Sequence, residues 1–516
     1  MGSIPAGRTQ KFHMKQDKLK SINNALIPKE VSHVTQTLEK AGFEAFVVGG
    51  CVRDLIIGRI PKDWDVTTNA KPEQVISLFK KTVYENTFGT VAVMVARETS
   101  SEEVSYETVE VTPYRIEGKY TDKRHPDEVQ FSDKIEDDLQ RRDFTINAMA
   151  YNSSKGHLID LYNGQTDIKD KVIRCVGDAS LRFSEDALRM LRAVRFSAEL
   201  NFAVSYETME AITEHAELLK DISEERIRDE FSKILMSPDP FLGVGLLSKL
   251  GLLKHLCPEL EEGIGCEQKG EHLYDVFEHL LYAVKCAADK DWPLEIRLAA
   301  LMHDIGKPRT RRWDGSKAGG AGKYTFYGHE VVGARMVEKI LTRLKYPKKT
   351  VELVTKLVRY HMFFSDTEVI TLSAVRRIIT NVGREHIWEL MQIRDCDRAG
   401  MKKKEAPYRL RKYHAMIEEA LRQPTSVGML KIDGTILIGE LGMKPSPRIG
   451  WILHALLEEI LEEPEKNTRE YLDSRVRELN ELSDADLKLL GEKGKEVKEQ
   501  IEEEEITELR KKHGVK

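Results

Sequence analysis

The stretch Phe46-Val47-Val48-Gly49-Gly50-Cys51-Val52-Arg53-Asp54, continued by Lys62-Asp63-Trp64-Asp65-Val66-Thr67-Thr68, decides how the N-terminal part of this chain is read. Phe46-Val47-Val48 is a short apolar run with the character of a buried strand. Gly49-Gly50 breaks it, and Val52 to Ile57 resumes with helical spacing. A strand, a Gly pair and a helix start form a place where backbone N–H groups point at a phosphate. Arg53, in the first turn of that helix, reaches toward the same anion. Asp63 and Asp65 are two apart, so on a strand they project from one face. Two carboxylates so placed repel unless a cation lies between them. Oxygen ligands of this kind suit Mg²⁺, which is held by one or two carboxylates plus substrate phosphates. Either half alone reads as a Gly turn or a solvated Asp pair; in this order they point to a nucleotidyl-transfer site.

Gly49-Gly50-x-Val52-Arg53-Asp54, Gly58-Arg59 and Asp63-x-Asp65 resemble the first motif of the class II tRNA nucleotidyltransferases, the CCA-adding enzymes, and of the related bacterial poly(A) polymerases. The resemblance runs through five motifs over roughly the first half of the chain. It implies a palm-like mixed sheet with helices, an α/β nucleotidyltransferase head, followed by all-α domains. It also implies Mg²⁺ as cofactor and tRNA, ATP and CTP as partners.

Composition sets the outer bounds. The 516 residues hold several domains, and 41% hydrophobic with 32% charged residues supply real cores. No stretch has the apolar length needed to span a bilayer. Met1 to Lys20 lacks an apolar centre and is read as a disordered tail, with Met14 as an alternative start. Six Cys without a CxxC pair fit a reducing, cytoplasmic setting. The net charge of −5 leaves any RNA surface to local basic patches such as Lys345–Lys349 and Lys402–Lys404.

In chain order, the reading gives a tail over 1–25, a catalytic head over 26–165, a helical neck over 166–258, a helical HD-type unit over 259–415 and a charged helical C-terminal region over 416–516. Lys29 to Ala41 is an amphipathic helix with Val31, Val34, Leu38 and Ala41 on one face. Thr90–Val95 and Tyr106–Tyr114 are strands, and Tyr106, Thr108, Glu110 and Thr112 share a face. Glu110 is the candidate third carboxylate beside the Asp strand; an exposed strand Glu is its plain alternative. Gly118–Val129, with Asp122, Arg124, His125 and Pro126, resembles the family's flexible loop. Arg141-Arg142-Asp143-Phe144-Thr145-Ile146-Asn147 resembles its second motif. Arg142, Asp143 and Asn147 are assigned to ribose and triphosphate, and Arg141 to a further phosphate.

Phe183 to Phe196 reads as one helix, N-capped by Ser184, with Leu188, Leu191, Val194 and Ala198 buried. Asp186, Arg189, Arg192 and Arg195 form a polar stripe beside them. This resembles the family's Glu-Asp-x-x-Arg motif, which reads the incoming base. Cytosine N4 and adenine N6 both present an amino group to a carboxylate such as Asp186, and Arg189 can donate to the neighbouring ring acceptor. Glu224 to Leu235 is a further helix and matches the last motif.

His279, His303-Asp304, His329, His361 and Asp397 lie in helical surroundings. The order His…His-Asp…Asp resembles the HD phosphohydrolases, with His329 and His361 matching the extra ligands of two-metal members. Mixed imidazole and carboxylate ligands suit Mn, Ni, Co, Fe or Zn. His272 and His386 are read as structural. Gly315–Lys323 fails the P-loop pattern, because 317 is Lys and 324 is Tyr.

The activity implied is template-independent addition of C, C and A to tRNA, with a metal-dependent phosphohydrolase in the HD unit. Poly(A) polymerase and A-only addition are alternatives within the class, and an RNA-binding HD phosphohydrolase is the alternative from another class.

Overall fold

A computed structural model describes residues 22–84, 89–97, 105–118, 129–268, 273–314, 323–362, 370–400 and 407–492. The flexible-loop residues Asp122 to Pro126, His272, Lys402–Lys404, Lys317 and the acidic block Glu502–Glu505 lie outside them, as does nearly all of the tail. The chain divides into two compact units, Met1–Ser223 and Glu224–Lys516.

The first unit is built on a seven-stranded mixed sheet. Its order is Thr82–Tyr84, Val91–Ala96, Tyr106–Pro113, Asp65–Thr68, Ala45–Val48, Met149–Asn152, His157–Asp160. Neighbours are antiparallel except Asp65–Thr68 and Tyr106–Pro113, which run parallel. The interior strand Ala45–Val48 is buried on both faces, as its continuous apolar run requires. In Tyr106–Pro113, Val109 and Val111 are buried while Thr108 and Glu110 are exposed, the alternation of a half-covered strand. The helix Lys29–Lys40 buries Val31, Val34 and Leu38; Ala41, expected on that stripe, is instead the exposed cap residue.

Three local expectations are corrected. The strand that carries the Asp pair starts at Asp65, and Asp63 lies in the bend before it. The side alternation nevertheless persists: Trp64 and Val66 are buried, whereas Asp63 is exposed and Asp65 half-buried. Phe183 to Phe196 is two helices, Ala179–Glu185 and Leu188–Leu200, broken at Asp186 and Ala187. Asp186 has extended backbone (φ −140°), and its Oδ1 accepts the Leu188 N–H at 3.0 Å. This local side-chain bond offers the backbone an alternative to the helical ladder. Ser184 is inside the first of these helices, bonded to the Ser180 carbonyl, and caps nothing. The N-cap of that helix is Asp178, which accepts from Leu181 N.

The second unit is helical apart from the short hairpin Arg312–Asp314 with Lys323–Thr325 among its described residues. It begins with Glu224–Leu235, whose Ile227, Phe231, Ile234 and Leu235 are buried. The helices Val276–Asp289, Leu294–Met302, His329–Arg343, Lys348–Tyr360 and Ile387–Asp397 carry the HD residues on them or at their ends. A separate apolar cluster, including Leu437, Leu456, Ile460, Leu472 and Val476, holds the C-terminal helices.

Candidate functional site

In the first unit the site is assembled around Gly49. This residue has φ 84°, outside the range comfortable for side-chain-bearing residues. A Cβ there would lie 2.8 Å from Arg142 Nη1 and 3.7 Å from Asp65 Oδ2. The Gly turn therefore lets the second-motif guanidinium and the Asp strand meet over bare backbone. Gly50 opens the helix Gly50–Ile57.

Asp65 and Glu110 are Cα partners on the two parallel strands. This places Glu110 beside the Asp strand, where the strand reading expected it. Burial raises the Asp65 carboxyl above its ordinary range; Arg142 opposes this, while Asp63 and Asp138 push it further up. Burial thus disfavours the charged form of Asp65, with Asp63 and Asp138 adding to the effect and Arg142 offsetting part of it; a bound cation would favour the carboxylate. Among the described residues, Asp63, Asp65 and Glu110 do not converge into a three-ligand set. Two carboxylates with the remaining positions left to phosphate and water are the usual Mg²⁺ pattern.

The second motif is held by charge pairs. Asp138, fully buried, accepts from Arg141 Nε at 2.9 Å and Nη2 at 2.6 Å, and from Arg142 Nη2 at 3.2 Å. Burial would raise its carboxyl, but the two guanidinium groups bring it below the ordinary range. Arg53 Nη1 donates to Asn147 Oδ1 at 2.7 Å, and Asn147 Nδ2 to Asp143 Oδ1 at 3.3 Å. Arg192 Nε donates to Asp143 Oδ2 at 2.7 Å. Burial opposes ionisation of Asp143, yet Arg192 and the other donors hold it at about 2. Asp143 and Asn147, assigned from sequence to ribose and triphosphate, are here the links between Arg53 and Arg192.

The polar stripe is also placed differently from expectation. Arg189 and Arg195 are buried, not lined along an open face. Arg189 donates to Glu185 Oε2 at 2.7 Å, to the Arg182 carbonyl at 3.2 Å and to the Arg141 carbonyl at 3.1 Å. Arg195 lies 4.4 Å from the centroid of the Phe196 ring, which Arg53 and Arg192 also approach. Asp186 and Arg189 therefore flank a helix break and do not share one regular helix face. Asp138 and Glu185 were not singled out as orienting groups. The signal for both was present: carboxylates three or four residues from the arginines they bind.

In the second unit two ligand groups form. His279, His303, Asp304 and Asp397 bring one donor atom each within 4.8 Å of the others, and so do Asp304, His329 and His361. His279 Nε2 is 3.4 Å from both Asp304 Oδ2 and Asp397 Oδ1. His303 Nε2 is 3.3 Å from Asp304 Oδ2 and 3.5 Å from Asp397 Oδ1. The other oxygen, Asp304 Oδ1, faces His329 Nε2 at 3.2 Å and His361 Nε2 at 3.6 Å. One carboxylate therefore spans both groups.

The imidazoles are oriented from behind. His303, His329 and His361 place Nδ1 at 2.9, 2.8 and 2.6 Å from the carbonyls of Ala300, Phe326 and Val358. Donation there leaves each Nε2 lone pair aimed at the centre, the arrangement of metal-binding histidines. The turn after Asp304 needs Gly306: a Cβ on it would lie 2.2 Å from the His329 carbonyl. Burial opposes charging His303, but Asp304 and Asp397 push its titration up to about 10. Burial likewise opposes ionisation of the two carboxyls, and their charged neighbours hold both well below the ordinary range. The pocket demands positive charge, and its donor set fits a transition metal. Lys307, missed in the sequence, puts Nζ 2.5 Å from Asp304 Oδ2 and 2.6 Å from Gln268 Oε1. Its position four residues after His303 was the available signal. His386, read as structural, contacts Glu389.

Three family models match: the Poly A polymerase head domain over residues 45–174, the probable RNA and SrmB-binding site of polymerase A over 201–264, and the HD domain over 270–404. A CCA-adding enzyme of Lactobacillus delbrueckii subsp. bulgaricus is 34% identical over 447 residues, covering 84% of this chain and 94% of that one. The chain belongs to the CCA-adding enzyme family. The Lactobacillus helveticus member is 40% identical over 306 residues, 59% of this chain and 71% of its own. The crystal structure of the Bacillus stearothermophilus family member in complex with CTP superposes with a TM-score of 0.64 at 27% identity, covering 88% and 97% of the two chains. The mixed-sheet head and helical remainder are those of the family. No helix among the described residues is long and apolar enough to cross a membrane.

Proposed function

We propose that this protein adds C, C and A to the 3′ end of tRNA from CTP and ATP without a nucleic-acid template. The observation that carries this reading is the register of Asp65 with Glu110, next to Asp63 and over the Gly49 turn that admits Arg142. Asp63 and Asp65 are the residues that would hold Mg²⁺, with Glu110 beside them. Mg²⁺ supplies activation of the attacking 3′-hydroxyl and charge neutralisation on the departing pyrophosphate. The new bond joins the tRNA 3′-oxygen to the α-phosphorus as the α–β bridging bond breaks, and the hydroxyl proton passes to solvent or a carboxylate. Gly49 and Gly50 present backbone to the phosphates, while Arg142 and Arg141 are held by Asp138 to face them. Asp143 and Asn147 fix Arg53 and Arg192, and Asp186 and Arg189 select the base, with Arg195 supporting their helix.

In the same chain His279, His303, Asp304 and Asp397, with His329 and His361, would hold one or two transition-metal ions (Mn, Ni, Co, Fe or Zn) for phosphoester hydrolysis. The shared Asp304 carboxylate favours this reading over a structural His cluster. We place the protein in the cytoplasm, consistent with its six free cysteines.

The deciding experiment incubates the protein with tRNA trimmed of its last three nucleotides and single labelled nucleoside triphosphates. CTP alone should extend by two residues, and CTP with ATP by three. Long A tracts would instead assign a poly(A) polymerase, and extension only of tRNA already ending in CC an A-adding enzyme.

A further inference from the structure

The Phe196 ring gathers more charge around it than a buried apolar residue requires. It lies in the helix Leu188–Leu200 and is 5% exposed. Three guanidinium groups stand over it: Arg195 at 4.4 Å from the ring centroid, Arg53 at 5.2 Å and Arg192 at 5.4 Å. All are within the about 6 Å over which a cation is attracted to a ring face. Arg192 and Phe196 are neighbours on the surface of one helix. Arg53 arrives from another helix, Gly50–Ile57.

Hydrogen bonds close the same circuit from the other side. Arg53 Nη1 donates to Asn147 Oδ1 at 2.7 Å, Asn147 Nδ2 to Asp143 Oδ1 at 3.3 Å, and Arg192 Nε to Asp143 Oδ2 at 2.7 Å. The chain of bonds therefore starts and ends on guanidiniums that share one ring. The second motif fixes the ring itself: Phe144, next to Asp143, meets it edge to face with centroids 5.7 Å apart.

Like charges gathered so closely repel. Carboxylates offset part of this, since Asp54 pairs with Arg53 at 2.8 Å and Glu199 with Arg195 at 3.7 Å. A further carboxylate in place of the ring would compete with an incoming phosphate for the same guanidiniums. A ring face attracts and orients a cation through its quadrupole, yet carries no net charge that would neutralise it.

We propose that Phe196 is a positioning residue for nucleotidyl transfer: its ring holds Arg53 and Arg192 in register with each other and leaves their charge to the incoming nucleoside triphosphate. This rests on the reading of that site as the one that takes CTP and ATP. Phe196 touches no substrate; it acts through the two guanidiniums.

The test varies the π-face while keeping the shape. Mono-, di- and trifluorinated phenylalanine are placed at position 196 of the full chain by nonsense suppression, and Phe196→Leu is made alongside. KM and kcat are measured for CTP on tRNA trimmed of its last three nucleotides and for ATP on tRNA ending in CC. Fluorine withdraws electron density from the ring and weakens cation binding stepwise. KM for both nucleotides should climb in step with fluorination, with kcat changing less than about twofold. Loss of both contacts in Phe196→Leu should raise KM roughly 5- to 30-fold. A flat KM across the fluorinated series overturns the proposal whatever Phe196→Leu does, because shape alone then accounts for the residue. A fall in kcat at constant KM also overturns it. A wild-type protein that incorporates neither CTP nor ATP would overturn the reading of the site itself, and the proposal with it.

Discussion

Arg192 Nε donates to Asp143 Oδ2 at 2.7 Å and joins the helix Leu188–Leu200 to the segment that carries Arg142 and Asn147. The bond connects two parts of the chain that are 49 residues apart. It makes the placement of the helix Leu188–Leu200 depend on the segment that carries Arg142, Asp143 and Asn147.

The pH dependence of this lock follows from its sign. Asp143 titrates at about 2 in the fold, against an ordinary value near 3.9. Its folded-state pKa is depressed, so its contribution is complete above pH ~4 and is lost as pH falls toward 2. Asp143→Asn should destabilise the protein by about 2 kcal/mol at pH 7. Denaturant midpoints measured from pH 7 to pH 3 should show a constant gap between variant and wild type above pH ~4 that narrows below it. A gap that widens on acidification would refute the assignment.

Asp63→Ala and Asp65→Ala should each abolish incorporation of CTP and ATP alike while tRNA binding stays measurable by filter retention. Gly49→Ala tests the same centre from the backbone. It forces a Cβ at φ 84° against Arg142, 2.8 Å away. A cost of about 1–3 kcal/mol in stability is expected, together with a rise in KM for both nucleotides. Normal turnover in Asp63→Ala would sink the metal assignment.

We propose Asp186 and Arg189 as the base-selecting pair. Asp186→Ala should raise UTP or GTP incorporation relative to CTP, with the chemical step retained. Each correct bidentate contact is worth about 1–3 kcal/mol of discrimination, so the preference should relax by roughly one to two orders of magnitude. Because Arg189 is held by Glu185, Glu185→Ala should relax selection in the same direction by a smaller factor. Misincorporation ratios from mixed-nucleotide reactions measure both. Full discrimination in the Asp186 variant would move selection elsewhere.

In the HD unit the two oxygens of Asp304 serve different ligand groups. Asp304→Asn should therefore lower metal content at both groups, whereas His361→Ala should affect only the second. Metal-to-protein ratios after dialysis against Mn²⁺ read this directly. His303→Ala should remove phosphohydrolase activity and spare CCA addition. Equal metal loss in Asp304→Asn and His361→Ala would argue against two separable groups.

Much of this protein was determined by the order of its residues alone. The Gly-Gly turn between a strand and a helix, the amphipathic helix Glu224–Leu235 and the ordered His…His-Asp…Asp series depend on neighbours a few positions apart, and that spacing is visible without a fold. Tertiary structure decided the rest. The break at Asp186 came from a side-chain bond that competes with the helix, and Arg189 and Arg195 turned inward where a half-buried carboxylate, backbone carbonyls and a ring receive them. The alignment of Asp65 with Glu110, the two-sided use of Asp304 and the approach of Lys307 to Gln268 join positions tens of residues apart or depend on which atom of a side chain faces which neighbour. Such relationships arise from strand register and helix packing over long range, which periodicity along the chain does not encode.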